Sequence, residues 1–292
     1  MKLLPLWMIL SSKSEHVADT VHAAAGHAAE HASEGAPELP NVITLTNQAL
    51  HHPTHGVVHW LHTNENIVFA FFILFVMCAI ALYVYRNQKM IPGRLQAAVE
   101  MLVDGLSGFF IGVVGERYGP KYVAFLGTLF IYILLMNFAG LIPGLHSSTS
   151  SVNTTAALAI CVFLHVQGSA IRHLGIGKWC FHLMGEPRDV YSWVLVPINL
   201  PIHIIGELAK PFSLALRLFG NITGEDVLIA AFVGLGVMIM AVIHSPVGLP
   251  LHVPFIFLAL LTSTIQALVF SLLAAVYFSL MLPHEHHESE EH

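Results

Sequence analysis

The fold class this sequence predicts is an all-α integral membrane protein, and three observations carry the prediction. Of its 292 residues, 55% are apolar and only 10% charged, and the mean hydropathy of +0.71 is too high for one compact water-soluble globule. Ile67 to Tyr85 holds no charge and is long enough to cross a bilayer, which takes roughly 20 apolar residues. Further apolar stretches of at least that length follow, separated by short segments whose Lys and Arg content alternates. The three cysteines, Cys78, Cys161 and Cys180, lie in or beside apolar segments with no ligand-like spacing, so they read as packing residues and not as a disulfide or zinc framework. The net charge of −6 comes in part from an acidic tail, and no Lys/Arg cluster points to nucleic acid. The partners of such a chain are the lipid bilayer and other proteins within it.

Each element follows in order. "MKLLPLWMIL" is a weak signal-peptide pattern, too short to span, so a signal segment over 1–25 stays open. Residues 1–62 form a polar, His-rich flank with Pro37, Pro40 and Pro53 and no sustained apolar period. Residues 63–283 form a single membrane domain, and 284–292 an acidic, His-rich tail. Arg86, Lys89 and Arg94 follow the first span, which puts the N-terminus outside. From Pro92, the residues Leu95, Val99, Leu102, Leu106, Phe109 and Val113 recur at helical spacing opposite Gln96, Glu100, Asp104 and Ser107. They predict an amphipathic helix too polar to span, opened by the proline and lying in the interface plane beside Arg94, Arg117 and Lys121. Tyr122 to Ile142 and Val152 to Ile171 predict a hairpin of two spans, and Arg172, Lys178 and Arg188 mark the next loop as cytoplasmic.

Trp193 to Ile243 is mostly apolar over 51 residues, about 77 Å as one helix at ~1.5 Å per residue, against a hydrocarbon core of about 30 Å. Either a tight turn near Gly220 to Asp226 makes two spans, or one strongly oblique helix runs throughout. The proline-rich "HSPVGLPLHVP" then turns the chain, and Pro254 opens a last helix to about Met281.

Between Tyr191 and Pro283 the charged residues are Glu207, Lys210, Arg217, Glu225 and Asp226, all within 20 positions. Glu207, Lys210, Arg217 and Asn221 stand at i, i+3, i+10 and i+14, so a helix lines them along one face, with Leu214 in the stripe and Pro211 bending it. An arginine at bilayer depth costs about 2.5–3.5 kcal/mol on insertion scales, so it turns to a partner, a protein interior or a water-filled cavity. One reading pairs Arg217 with Glu207, Glu225 or Asp226 to lock helices together. The other is an ion path built on a fixed cation. On the last helix Thr262, Gln266 and Tyr277, with Ser263 adjacent, form a second, uncharged stripe that also serves as ordinary interhelical glue.

The stretch "GELAKPFSLALRLFGN" carries a resemblance to subunit a of F-type ATP synthases. It is supported by "IPGRLQAAVE", "LMNFAGLIPG", "VPINL" and "IQALVFSLLAAVYFSL", which together cover the chain from roughly residue 64 onward. The resemblance implies about five transmembrane helices plus one in-plane amphipathic helix, the last two helices long and strongly tilted against a ring of proteolipid c subunits. It implies a multi-pass protein of the bacterial plasma membrane with a cytoplasmic C-terminus, held to the peripheral-stalk subunit b and other ATP synthase subunits, with no cofactor and no metal. Arg217 would face the proton-carrying carboxylate of each ring subunit, favour its ionised form, and separate two aqueous half-channels, because a guanidinium keeps its proton and cannot relay one.

Position by position, the resemblance makes Lys210 and Asn221 channel-side or packing residues, sets Gln266 near Arg217, and puts Tyr277 on the partner helix. The family's acid nine residues after the arginine matches Asp226, with Glu225 beside it as a substitute. Glu207 has a weaker claim. Where some members carry an acid fourteen residues before the arginine, this chain has His203, itself a candidate relay. Where the family often has a polar residue seven before the glutamine, this chain has Ala259, so His252 and His244 are candidates to replace it.

The chain has twenty histidines. His52, His55, His59 and His62 stand at i, i+3, i+7 and i+10, a spacing that would suit zinc, nickel or copper. They support a rival class, a metal-ion transporter, for which His203 and Glu207 are the candidate intramembrane pair; the other reading is a solvated flank. A third class, an assembly factor that transports nothing, leaves the Arg217 stripe unexplained. No G-x-x-x-x-G-K-[ST] loop occurs, so ATP chemistry belongs to other subunits. Purification separates the two transport readings. We expect an SDS-resistant ring of small proteolipids to accompany the chain, whereas stoichiometric zinc or nickel without a ring would establish the rival.

Overall fold

The structure, a computed structural model, describes Trp60 and residues 64–142, 144–145, 147–184, 190–242 and 249–282. Nearly the whole N-terminal flank, the His52–His62 series, His244 and the C-terminal tail therefore lie outside the described residues. The described chain is helical: α1 Glu65–Arg86, α2 Arg94–Val114, α3 Gly119–Leu141, α4 Val152–Leu183, α5 Val190–Val242 and α6 Val253–Met281, with one 3₁₀ turn at Ser148–Ser150. All six α-helices reach the length and apolarity of a membrane span, α2 included, although its polar face had marked it as too polar to span, and the protein is an all-α integral membrane protein.

The first span falls where the charge-free run predicts it. Pro92 stands before the helix it was expected to open, because Gly93 is the N-cap of α2. The buried stripe of α2 is Leu106, Phe110 and Val114, while Leu95, Leu102 and Phe109 of the expected apolar face are exposed. An apolar side chain in a membrane protein gains as much against lipid as against protein, so periodicity locates the apolar face without saying which part of it meets a neighbour. The cysteines follow the same rule. All three are free, as their spacing predicts, and are exposed on the helices, so any packing they do is not within the chain's own core.

The hairpin of α3 and α4 forms as expected, but α4 runs past Ile171 to Leu183, so Arg172 and Lys178 lie on helix and not in a loop. What interrupts it is Gly175, with φ 78 and ψ 159, a conformation that an L side chain would resist. The two alternatives for Trp193–Ile243 resolve to one: α5 is a single helix of 53 residues that continues through Gly220–Asp226, with Pro197, Pro201 and Pro211 inside it. Its apolar stretch Asn199–Ile239 has 41 residues, about 62 Å at ~1.5 Å per residue, and fits a core of about 30 Å only obliquely.

At the centre stands α6, which packs on α2, α3, α4 and α5. Ala259, Ser263, Ala267, Ser271, Ala274 and Ala275 are all buried on it. Such small side chains let backbones approach where no hydrophobic drive separates helix from lipid. Phe270 and Phe278 fill the gaps, fully buried with Leu126 and Ile133 of α3, Val162 of α4 and Leu218 of α5 in one continuous core. Helix α1 is peripheral, tied on by Tyr132 Oη to the Ala70 carbonyl at 3.2 Å and Ser148 Oγ to the Asn66 carbonyl at 2.8 Å.

The approach of the loop after α3 sets a stability test. A Cβ on Gly140 would lie 2.6 Å from the Ser147 Cβ, which is itself buried. Gly140→Ala should destabilise the folded protein by about 1–3 kcal/mol as an overpacked site, read as a lower thermal midpoint in detergent.

Candidate functional site

The charges of α5 are placed by a helix that passes from α4 to the 3₁₀ turn while packing along α6. Leu214, Leu218 and Ile222 are buried toward α4 and α6. Arg217 stands at the margin of that face and is exposed on the surface of the chain. Two polar networks lie on either side of it along the helix.

The first network precedes the arginine. Glu207 forms an ion pair with Lys210 one turn on, and its other oxygen accepts from Gln167 Nε2 on α4 at 3.0 Å. Gln167 in turn accepts from Trp179 Nε1 at 2.9 Å. The Lys210 ammonium lies 5.6 Å from the centroid of the Tyr277 ring on α6, within cation–π range. Gln167, Glu207, Lys210 and Tyr277 border one cleft with about 290 Å³ of empty space, floored by Val162, Val166 and Leu214.

The second network follows the arginine. Glu225 accepts from Asn221 Nδ2 at 2.9 Å and from Ser263 Oγ on α6 at 3.0 Å. From Ser263 the polar groups continue to α3. Asn137 Nδ2 donates to the Ser263 carbonyl at 3.4 Å, and Thr149 Oγ1 donates to Asn137 Oδ1 at 2.8 Å while sharing a 2.7 Å bond with Ser147 Oγ. Asn137, Ser147, Thr149 and Ser263 are all buried. This line of polar groups reaches from α5 to the loop between α3 and α4, and buried polar atoms are held in such lines because an unmade bond costs more than a made one yields.

The sequence-predicted residues thus divide. Glu207, Lys210 and Tyr277 meet in one network, Asn221 and Glu225 in the other. Among the described residues no ion pair joins Glu207 or Glu225 to Arg217: Glu207 pairs with Lys210, and Glu225 is hydrogen-bonded to Asn221 and Ser263. Of the adjacent acids, Glu225 is the one bonded to Asn221 and Ser263, and Asp226 is half-buried beside it. Gln266 is buried on α6, and among the described residues neither its amide nitrogen nor the buried ring nitrogen Nδ1 of His252 has a partner. His203 is exposed, and no hydrogen bond joins it to Glu207. Sequence reasoning did not single out Gln167, Trp179 or Asn137. An amide inside an otherwise apolar span was signal enough for Gln167 and Asn137, but nothing in the pattern around Trp179 indicates its contact.

Fold and site together define a class: a multi-pass, all-α membrane protein whose longest, otherwise apolar helix carries five charges, with Arg217 between two hydrogen-bonded networks. Its residues 67–279 match the family model described as ATP synthase A chain. It is 43% identical over 255 residues to ATP synthase subunit a of Protochlamydia amoebophila, covering 87% of this chain and 92% of that protein. It is 36% identical over 252 residues to ATP synthase subunit a of Solidesulfovibrio magneticus, covering 85% and 98%. The chain belongs to the ATP synthase A chain family, which makes it an ion-translocating subunit of the ATP synthase membrane sector, multi-pass in a bacterial inner membrane, with other ATP synthase subunits as its partners.

The second network can be tested through its hydroxyl. Thr149→Val keeps the shape but removes the donor to Asn137 Oδ1 and one of the two partners of Ser147 Oγ, which keeps the Met136 carbonyl, and should cost about 1–3 kcal/mol. Thr155→Val, which removes a hydroxyl bonded to the nearby Ser151 and Val152 carbonyls, should cost less; thermal unfolding of both variants in detergent measures the difference.

Proposed function

We propose that this chain is the proton-conducting stator subunit of the F-type ATP synthase, coupling proton translocation to rotation of the proteolipid c-ring and to ATP synthesis. The observation that carries the proposal is the arrangement on α5: a cation at the margin of the buried face, with one hydrogen-bonded carboxylate network on each side of it. In this reading Glu225, Asn221, Asp226 and Gln266 belong to the half-channel open to the outside. Glu207, Lys210, His203 and Tyr277 belong to the one open to the cytoplasm. Arg217 stands between them facing the ring.

A proton reaching the first half-channel neutralises a ring carboxylate, which can then enter lipid at little cost, because the charged form is the one that apolar surroundings penalise. After a turn of the ring the carboxylate meets the other half-channel and the field of Arg217. The cation favours the ionised form, attraction in the low dielectric being strong, and the proton leaves. A guanidinium holds its own proton, so no proton crosses directly from one network to the other, and ion flow requires rotation. The apolar residues Leu214 and Leu218 beside Arg217 support the same barrier. Helix α2 lies in the interface plane, the N-terminus is outside and the C-terminus cytoplasmic, with subunit b of the peripheral stalk holding the chain against the torque of the ring.

Arg217→Ala should abolish ATP-driven proton pumping in vesicles while leaving ATP hydrolysis by the detached soluble sector unchanged. Normal pumping by that variant would overturn the proposal.

A further inference from the structure

The manner in which Glu207 is held is decided on α4, by two residues with no charge. Gln167 and Trp179 are twelve positions apart, about 18 Å along an unbroken helix at ~1.5 Å per residue. They meet because the backbone breaks at Gly175, with φ 78 and ψ 159, and the segment beyond it returns Trp179 toward the preceding turns. An indole N–H can only donate. Its 2.9 Å bond to Gln167 Oε1 therefore settles which end of the amide faces which way, leaving Nε2 to donate to Glu207 Oε2 at 3.0 Å. The second carboxylate oxygen is then directed at the Lys210 ammonium.

This arrangement matters because α5 carries two cations near each other. Lys210 and Arg217 are seven residues apart, about 10.5 Å along the axis at ~1.5 Å per residue. Charges at that distance interact appreciably wherever water and salt are excluded. An uncompensated Lys210 would draw on any carboxylate brought to Arg217, blurring the position at which it is held and released. With Glu207 fixed on it, Lys210 is neutralised within the chain.

We infer that Trp179 and Gln167 are positioning residues for ion translocation: the indole orients the Gln167 amide, the amide holds Glu207 on Lys210, and Arg217 is left as the cation that meets the ring carboxylate. The inference rests on the stator reading above and adds to it a polar device on α4.

The experiment uses the intact ATP synthase in membrane vesicles, at matched amounts of assembled complex, with ATP-driven proton pumping as the readout. Trp179→Phe and Gln167→Leu should each lower pumping about three- to tenfold, the loss expected of one hydrogen bond. Trp179→His, which keeps a ring N–H but little of the indole's bulk, should recover most of it. Combined with Glu207→Gln, Trp179→Phe should cause no loss beyond that of Glu207→Gln alone, because both act through the same carboxylate. If Trp179→Phe does not assemble, Gln167→Leu combined with Glu207→Gln makes the same comparison. Pumping unaffected by Trp179→Phe, losses that add, or a Trp179→His variant no better than Trp179→Phe would each overturn the inference. Arg217→Ala in the same vesicles separates the two failures. Normal pumping there defeats the stator reading, whereas loss there with parental pumping by Trp179→Phe defeats this inference alone.

Discussion

A charge inside a hydrocarbon layer has no water to turn to, and the whole of α5 is organised by that scarcity. Five charged residues stand on one apolar helix of 53 residues. Each is tolerable only where a neighbouring helix supplies a partner or where polar groups open a route to water. Glu207 and Lys210 use each other and the amide of Gln167, and Glu225 uses Asn221 and the Ser263 hydroxyl. Among the described residues Arg217 has no hydrogen bond or ion pair to either set, and it stands at the edge of the packed face.

The rest of the fold serves to hold those partners in register. The small residues of α6 allow α5 to lie close enough for Ser263 to reach Glu225, and Asn137 of α3 reaches the same turn of α6 from the other side. The break at Gly175 does comparable work on α4, since a straight helix would carry Trp179 away from Gln167. In each case a residue without charge determines how a charged one is used. The hydrophobic core built from Phe270, Phe278, Leu126 and Leu218 fixes the distances on which these bonds depend, because a close-packed interior resists small displacements.

Much of the fold was legible in the residues. Charge-free runs gave α1, α3 and α6 to within a few positions, since bilayer thickness fixes a minimum length and a run of apolar residues satisfies it in only one way. Legibility failed where two environments reward the same side chain. Phe109 and Leu102 satisfy a helical apolar period whether they meet lipid or protein, and so do the three cysteines. It failed again beyond Ile171, where Arg172 and Lys178 read as a loop although each lies on helix, one on either side of the break at Gly175, because charged residues at a membrane edge suit a helix end as well as a turn.

For the candidate site, the sequence by itself determined the class of protein, the helix that carries Arg217 and the identity of the charges around it, because charges in apolar helices are too costly to be incidental. The tertiary structure alone decided which of those charges meet: that Glu207 is turned to Lys210 and Gln167, that Glu225 is the acid bound to Ser263, and that Trp179 belongs to the site. These pairings join residues up to 40 positions apart in the chain. They depend on how helices cross and where one of them breaks, quantities that periodicity within a single helix does not contain.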